Sequence, residues 1–334
     1  MTLPRGSHGG DGRLVAASYG LDPDSVLDLS ASLNPFAPPV GPVVAHHLEA
    51  TVGRYPDAID QAVATAALAD ALGVDVERVL LTNGGSEAIA LVASELGRGW
   101  VGSPEFSLYA RHLAEIDTGG PEFRSDPNNP TGALAPFGAV AGVWDEAFYP
   151  LATGRWSRRS PSPGRSVPED PAIVLGSLTK VLDCPGLRLG YVIAPADGGD
   201  ALGFSDLVTR LAARQPRWSV STLGLAALPD LLATVDLPAW SASIAAARTE
   251  MVDVLVSHAL APRPSSANFV LVDGAPGLRA ALAPHGVVVR DCASFGLADS
   301  VRIAVPDADG LARLDVALRR VRDAAAALEG AVRP

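Results

Sequence analysis

Short apolar runs alternate with alanine-rich stretches of helical period along most of this chain, and that alternation admits few folds. "VLLTNGG" (79–85) reads as a strand entering a glycine turn, and "SEAIALVASEL" (86–96) as a helix opening directly after it. "GWVGSP" (99–104), "AVAGVWDEAF" (139–148) and "AIVLGS" (172–177) read as further buried strands. Beyond Leu237 the helical pattern of "WSASIAAARTEMVDVLVSHAL" (240–260) mixes with strand-like "NFVLVD", "GVVVRD" and "SVRIAV". The order predicts an α/β layer architecture followed by a separate α+β unit, and 334 residues suffice for both. The Pro/Ser/Arg-rich segment 154–170 reads as a solvated loop.

Composition narrows the class. A hydrophobic fraction of 48% with 19% charged residues is that of a globular protein. A net charge of −11 argues against a nucleic-acid surface. No run approaches the ~18 apolar residues of a membrane span, and "MTLPRGSHGGDGR" lacks a signal-peptide core. Cys184 and Cys292 form neither a disulfide framework nor a metal spacing, so no metal and a reducing cytoplasm are expected.

One residue stands out against that background. Arginine occurs 25 times and lysine once, at Lys180. A bias toward arginine has spared one ammonium, just past the apolar run 172–177, where sites in α/β sheets gather. An ordinary surface lysine would also fit that position. Only lysine, however, can lose a proton and condense with an aldehyde. "TNGGSEAI" puts Gly84, Gly85 and Ser86 at a helix N-terminus, whose free N–H groups suit a phosphate. Ser177 and Thr179 flank the lysine and Arg188 follows it, a second part of a phosphate cup. Asp145 ends the apolar run of "VWDEAF", where a carboxylate needs a partner.

Together these motifs resemble the fold type I enzymes dependent on pyridoxal 5′-phosphate, in order from His8 to Arg302. The resemblance implies a large, mostly parallel sheet domain (41–235), a smaller α+β domain (236–334), and an N-terminal arm (1–40) joining the latter. It implies that Lys180 holds the cofactor as a Schiff base and that Asn129 of "NNPTG" bonds the ring's 3′-oxygen. Asp145 would pair with the ring nitrogen, and Gly85, Ser86, Ser177 and Arg188 would hold the phosphate. Phe106 or Tyr109 of "SPEFSLY" would lie near the ring face. Tyr55 of "GRYPD" resembles the tyrosine lent to a neighbouring subunit, which implies a homodimer with shared active sites.

Two families within that group compete: L-threonine-O-3-phosphate decarboxylase and histidinol-phosphate aminotransferase. "SHGGD", "DLSASLNPFAPP", "PRWSVSTLGLAAL" and "VVVRDCASFGL" resemble the decarboxylase, as does Phe148 in "DEAF", where the aminotransferase usually has tyrosine. The favoured reading is decarboxylation of L-threonine O-3-phosphate to (R)-1-amino-2-propanol O-2-phosphate, as in cobalamin biosynthesis. The alternative is transfer of an amino group with 2-oxoglutarate, and a non-catalytic cofactor-binding protein is a third reading. By resemblance His8, Asn34, Arg290 and Arg302 would bind the phosphate and carboxylate of a small phosphorylated amino compound. Asn268 fits both families.

The spacing departs from both. Only 19 positions separate Tyr109 from Asn128, and 16 separate Asn129 from Asp145. A parallel crossover of that length leaves room for a very short helix or none. The large domain is therefore expected to be trimmed.

Overall fold

In the computed structural model of the chain, residues 9–159, 171–196 and 206–332 are described. The helix Gly12–Tyr19 and the two-residue strand β1 (Leu27–Asp28) come first. The helices Gly41–Thr51 and Ala58–Leu72 follow; Asp57 caps the second by accepting from the N–H groups of Ile59 and Asp60, and Gly73 closes it at φ 68°. The large sheet takes β2 (Val79–Asn83), β3 (Arg98–Val101), β4 (Glu115–Ile116), β5 (Glu122–Ser125), β6 (Val143–Asp145), β7 (Ile173–Ser177) and β8 (Leu189–Ile193). Their order is β2-β8-β7-β6-β5-β3-β4. Every pairing is parallel except those of β8, which runs antiparallel to both neighbours.

Burial on both faces explains the near-continuous apolar runs. Leu81, Trp144, Val174 and Tyr191 face one core cluster with Leu68 and Leu178. Leu80, Val143, Ile173, Leu175 and Val192 face the other, with Val92 and Phe123. The alternation of neighbours such as Val143 and Trp144 is the two-residue period of a strand.

The C-terminal part carries β9 (Ala261–Pro262), β10 (Phe269–Asp273), β11 (Val287–Val288), β12 (Arg290–Asp291) and β13 (Val301–Ala304). Four of these form an antiparallel sheet in the order β12-β13-β10-β9. The helices Leu237–Ser257 and Ala308–Val332 close it, through Met251, Leu255 and Leu314. β11 leaves that sheet and pairs in parallel with β1, which stitches the N-terminal segment to this part of the chain. The run "GVVVRD" is thus two strands broken at Val289, and "AVAGVWDEAF" contributes only three residues of strand.

The crossover from β5 to β6, residues 126–142, contains no helix. Ala135, Ala139 and Ala141 of the crossover pack on the core that holds Trp144, and Arg158 joins them: its guanidinium stacks 3.8 Å from the Trp144 ring centroid and meets Asp126 at 3.0 Å. The solvated loop expected at 154–170 is therefore, at 154–159, part of the packing: Ser157 is buried and Arg158 nearly so. Residues 160–170 lie outside the described residues. No single described helix is long and apolar enough to cross a membrane, and both cysteines are buried and free.

Candidate active site

The ends of β2, β7 and β8 lie side by side, and their turns build one wall of a cavity of about 520 Å³. Asn83 gives way to Gly84 at φ 75°, which opens the helix Gly84–Leu96 and aims its first N–H groups at the cavity. A Cβ at Gly84 would sit 2.6 Å from Arg188 Nη2, and one at Gly190 would sit 2.4 Å from the Gly84 carbonyl carbon. Glycine at both positions lets the guanidinium lie directly over the helix start. Gly85 approaches the Ser177 side chain less closely, with 3.3 Å from its would-be Cβ to Ser177 Cβ. Gly85, Ser86, Ser177 and Arg188 all line the cavity. So does Thr179, whose buried hydroxyl has no hydrogen-bond partner among the described residues.

Lys180 sits on the single helical turn Leu178–Val181 after β7. Its Nζ donates to the Ala31 carbonyl at 2.9 Å. Burial lowers its pKa to about 8, helped by the cations of Arg302, Arg188 and Arg290. Asp145, at the end of β6, accepts from the Tyr109 hydroxyl at 2.7 Å and from the Ala147 N–H at 3.0 Å. Burial raises its pKa, and those two donors oppose the rise.

Arg290 and Arg302 are direct cross-strand partners on β12 and β13. Both are buried, and like charges placed opposite one another in a sheet repel. Arg302 donates to Asn129 Oδ1 at 2.5 Å and to the Ser30 carbonyl at 3.3 Å, two neutral oxygens. The rings of Phe269 and Phe148 flank it, at 4.6 and 5.9 Å to their centroids. Burial, then Arg290, lowers the Arg302 pKa to about 9.

The cavity brings together Lys180, Asp145, Asn129, Phe106, Arg290 and Arg302 with Gly85, Ser86, Ser177 and Arg188, the four residues expected at a phosphate. Two expected residues stand elsewhere. Asn34 does not line it: its amide donates to the Val181 carbonyl and accepts from the Phe36 N–H, and so ties the N-terminal segment to the lysine's turn. Tyr55 is 72% exposed and stacks on Trp218 at 4.5 Å, away from the cavity of its own chain. His8 lies outside the described residues. Of the two aromatic candidates, Phe106 lines the cavity and Tyr109 stands behind it, bonded to Asp145. Asn268 donates to the Ser32 and Leu33 carbonyls, again fastening the N-terminal segment.

Arg111 and His112 also line the cavity, at the end of the helix Leu108–His112, and sequence reasoning did not single them out. It also passed over Glu105, although a charge inside "GSPEFSLY" is the kind of signal that marks a buried carboxylate.

Residues 125–320 match the family model of aminotransferase class I and II. Histidinol-phosphate aminotransferase from Halobacterium salinarum is 31% identical over 360 residues, covering 92% of this chain and 94% of that protein. Threonine-phosphate decarboxylase from Salmonella typhimurium is 31% identical over 376 residues, covering 96% and 98%. Both alignments are longer than the 334 residues of this chain, so the relatives carry segments without a counterpart here. The histidinol-phosphate aminotransferase of Sinorhizobium meliloti, solved with pyridoxal-5′-phosphate, superposes with a TM-score of 0.75 at 20% identity, covering 96% of this chain and 95% of that one. With that family match and 31% identity along nearly its whole length, the chain belongs to the class I and II aminotransferase family, which uses pyridoxal phosphate.

Proposed function

We propose that the cavity binds pyridoxal 5′-phosphate and decarboxylates L-threonine O-3-phosphate. The residues present fit the cofactor. The Gly84 cradle closes against Arg188, the Thr179 hydroxyl awaits a partner, and one amine and one carboxylate face the same space. Gly85, Ser86, Ser177 and Arg188 would hold its phosphate, Asp145 its ring nitrogen and Asn129 its 3′-oxygen. When bound, the cofactor supplies an aldehyde to an amine and a ring that takes up the electron pair of a bond broken at the substrate's Cα.

The chain's own groups do the rest. Lys180 releases its proton near pH 8, so its amine is available for capture and then for carrying a proton to or from carbon. Tyr109 and the Ala147 N–H hold Asp145 in one orientation. Arg290 and Arg302 would grip the substrate's two anionic groups, and binding between two opposed cations relieves their repulsion.

The observation that carries the choice of reaction is Phe148. Its ring lines the cavity, packs edge-on against Phe269 at 5.0 Å and flanks Arg302. A phenyl group supplies no donor where a tyrosine would, which matches the decarboxylase pattern. The Halobacterium relative, at the same 31% identity, favours a second reading: amino-group transfer from a histidinol-phosphate-like donor to a keto acid. Holoenzyme given threonine phosphate and no keto acid separates the two. Catalytic CO2 release is the expected outcome. No CO2, with glutamate formed from 2-oxoglutarate and histidinol phosphate, would replace it by transamination.

A homodimer is part of the same proposal. The exposed Leu48, Val52, Tyr55, Ile59 and Val63 line two consecutive helices and the link between them beside Trp218, a face that a second copy would cover. Tyr55 would then reach the phosphate of the neighbouring site.

A further inference from the structure

Glu105 lies between β3 and the helix Leu108–His112, buried, and no role has yet been given to it. Its carboxylate receives four hydrogen bonds. Oε1 accepts from the Ser125 N–H at 3.0 Å and from Asn128 Nδ2 at 3.0 Å. Oε2 accepts from the Ser125 hydroxyl at 2.6 Å and from the Phe106 N–H at 3.1 Å. The Ser125 oxygen in turn accepts from the Asn129 N–H at 2.8 Å. The Tyr109 hydroxyl, which serves Asp145, also meets Ser125.

Two loops therefore converge on one carboxylate. One carries Phe106, which faces the cavity; the other carries Asn129, which bonds Arg302. Three of the four donors are N–H groups and the fourth is the Ser125 hydroxyl, so the ionised carboxylate has a partner for each bond it accepts. No cation pairs with it among the described residues. A buried anion held by dipoles alone is a costly arrangement, and a neutral side chain would serve packing as well.

We propose that Glu105 is a positioning residue for the cofactor: its carboxyl group clamps the Phe106 loop to the Asn129 loop and so sets the two side chains that would meet the ring's face and 3′-oxygen. The inference rests on the cofactor reading and is indifferent to which reaction follows. Burial pushes the Glu105 pKa up to about 7, with the four donors holding it down. The link to Asp145 through Tyr109 and Ser125 joins the ring's two polar partners in one connected set.

The test uses Glu105→Gln and Ser125→Ala in the full chain, with three readouts: melting of the apo protein, the dissociation constant for pyridoxal phosphate, and the pH midpoint of the bound cofactor's absorbance. Glu105→Gln turns an NH2 group toward donors; cofactor retention should weaken on the order of tenfold and the pH midpoint should move. Ser125→Ala removes the hydroxyl that joins Glu105, Asn129 and Tyr109 but keeps the three N–H donors to the carboxylate, and should move the midpoint in the same direction by less. Wild-type retention and midpoint in Glu105→Gln would overturn the proposal. So would a lower melting temperature with the midpoint unchanged, which is what a merely structural carboxylate would give. Should Glu105→Gln fail to fold, Ser125→Ala decides by the same readouts. Wild-type protein that takes up no cofactor, like Lys180→Ala, would remove the cofactor reading itself.

Discussion

Burial and three guanidinium groups lower the Lys180 pKa to about 8, against 10.5 for an exposed lysine. At pH 7.5 about a quarter of such amines are unprotonated, against about one in a thousand at the ordinary value, a gain of roughly 200-fold in the reactive form. Capture of pyridoxal phosphate by the apo protein, followed as growth of visible absorbance in stopped flow, should therefore rise with pH and level off near pH 8. Arg302→Gln removes the largest of the three cationic contributions and should move that midpoint upward, with slower capture at neutral pH. The same shift acts on apo stability, and its sign is fixed. The folded state releases the lysine proton near pH 8 while the unfolded chain keeps it to about 10.5, so unfolding takes up a proton between those values. Stability gained from this group rises with pH across that window and is fully present only above it; below pH 8 the buried ammonium costs the apo fold about 3 kcal/mol. Capture that keeps climbing tenfold per pH unit through pH 9, or that is indifferent to Arg302→Gln, would refute the reasoning.

Arg158→Ala leaves the Asp126 carboxylate, 3% exposed, without its cation, and should cost about 3 kcal/mol in urea denaturation. Gly190→Ala drives a Cβ to within 2.4 Å of the Gly84 carbonyl carbon, so it should displace the helix start and lower both melting temperature and cofactor retention. Arg290→Ala should raise KM for the phosphorylated substrate on the order of 30-fold while leaving the cofactor dissociation constant near wild type. Subunits carrying Lys180→Ala and Tyr55→Ala, each inactive alone, should regain about a quarter of wild-type activity when mixed, since half the dimers are hybrids with one intact site; no recovery would count against a shared site.

What the sequence made legible was chemistry at the ends of strands. Lys180, Asp145 and Arg188 each follow or precede an apolar run, and side-chain type limits what each can do there, so residue identity and local pattern sufficed. The shortened crossover was legible by counting, because 16 positions between parallel strands leave room for a very short helix or none. What packs on Trp144 was not. Arg158 comes from a segment whose composition reads as solvated, and its seat on that ring exists only once the chain has folded.

Partnerships set by register or by distant backbone were hidden for the same reason. Arg290 and Arg302 each look like a cation after a strand, but their direct opposition depends on the turn between β12 and β13. Asn34 looked like a substrate ligand; its amide is claimed by a carbonyl 147 residues away, a contact that no local pattern encodes. The Tyr109–Asp145 bond and the Glu105 clamp sit one layer behind the cavity wall, where identity says only that a polar group must find a partner. In this chain the groups that would touch the cofactor can be read from sequence because their chemistry admits few substitutes. The groups that aim them are read only from structure, because several side chains could do the aiming and folding selects which.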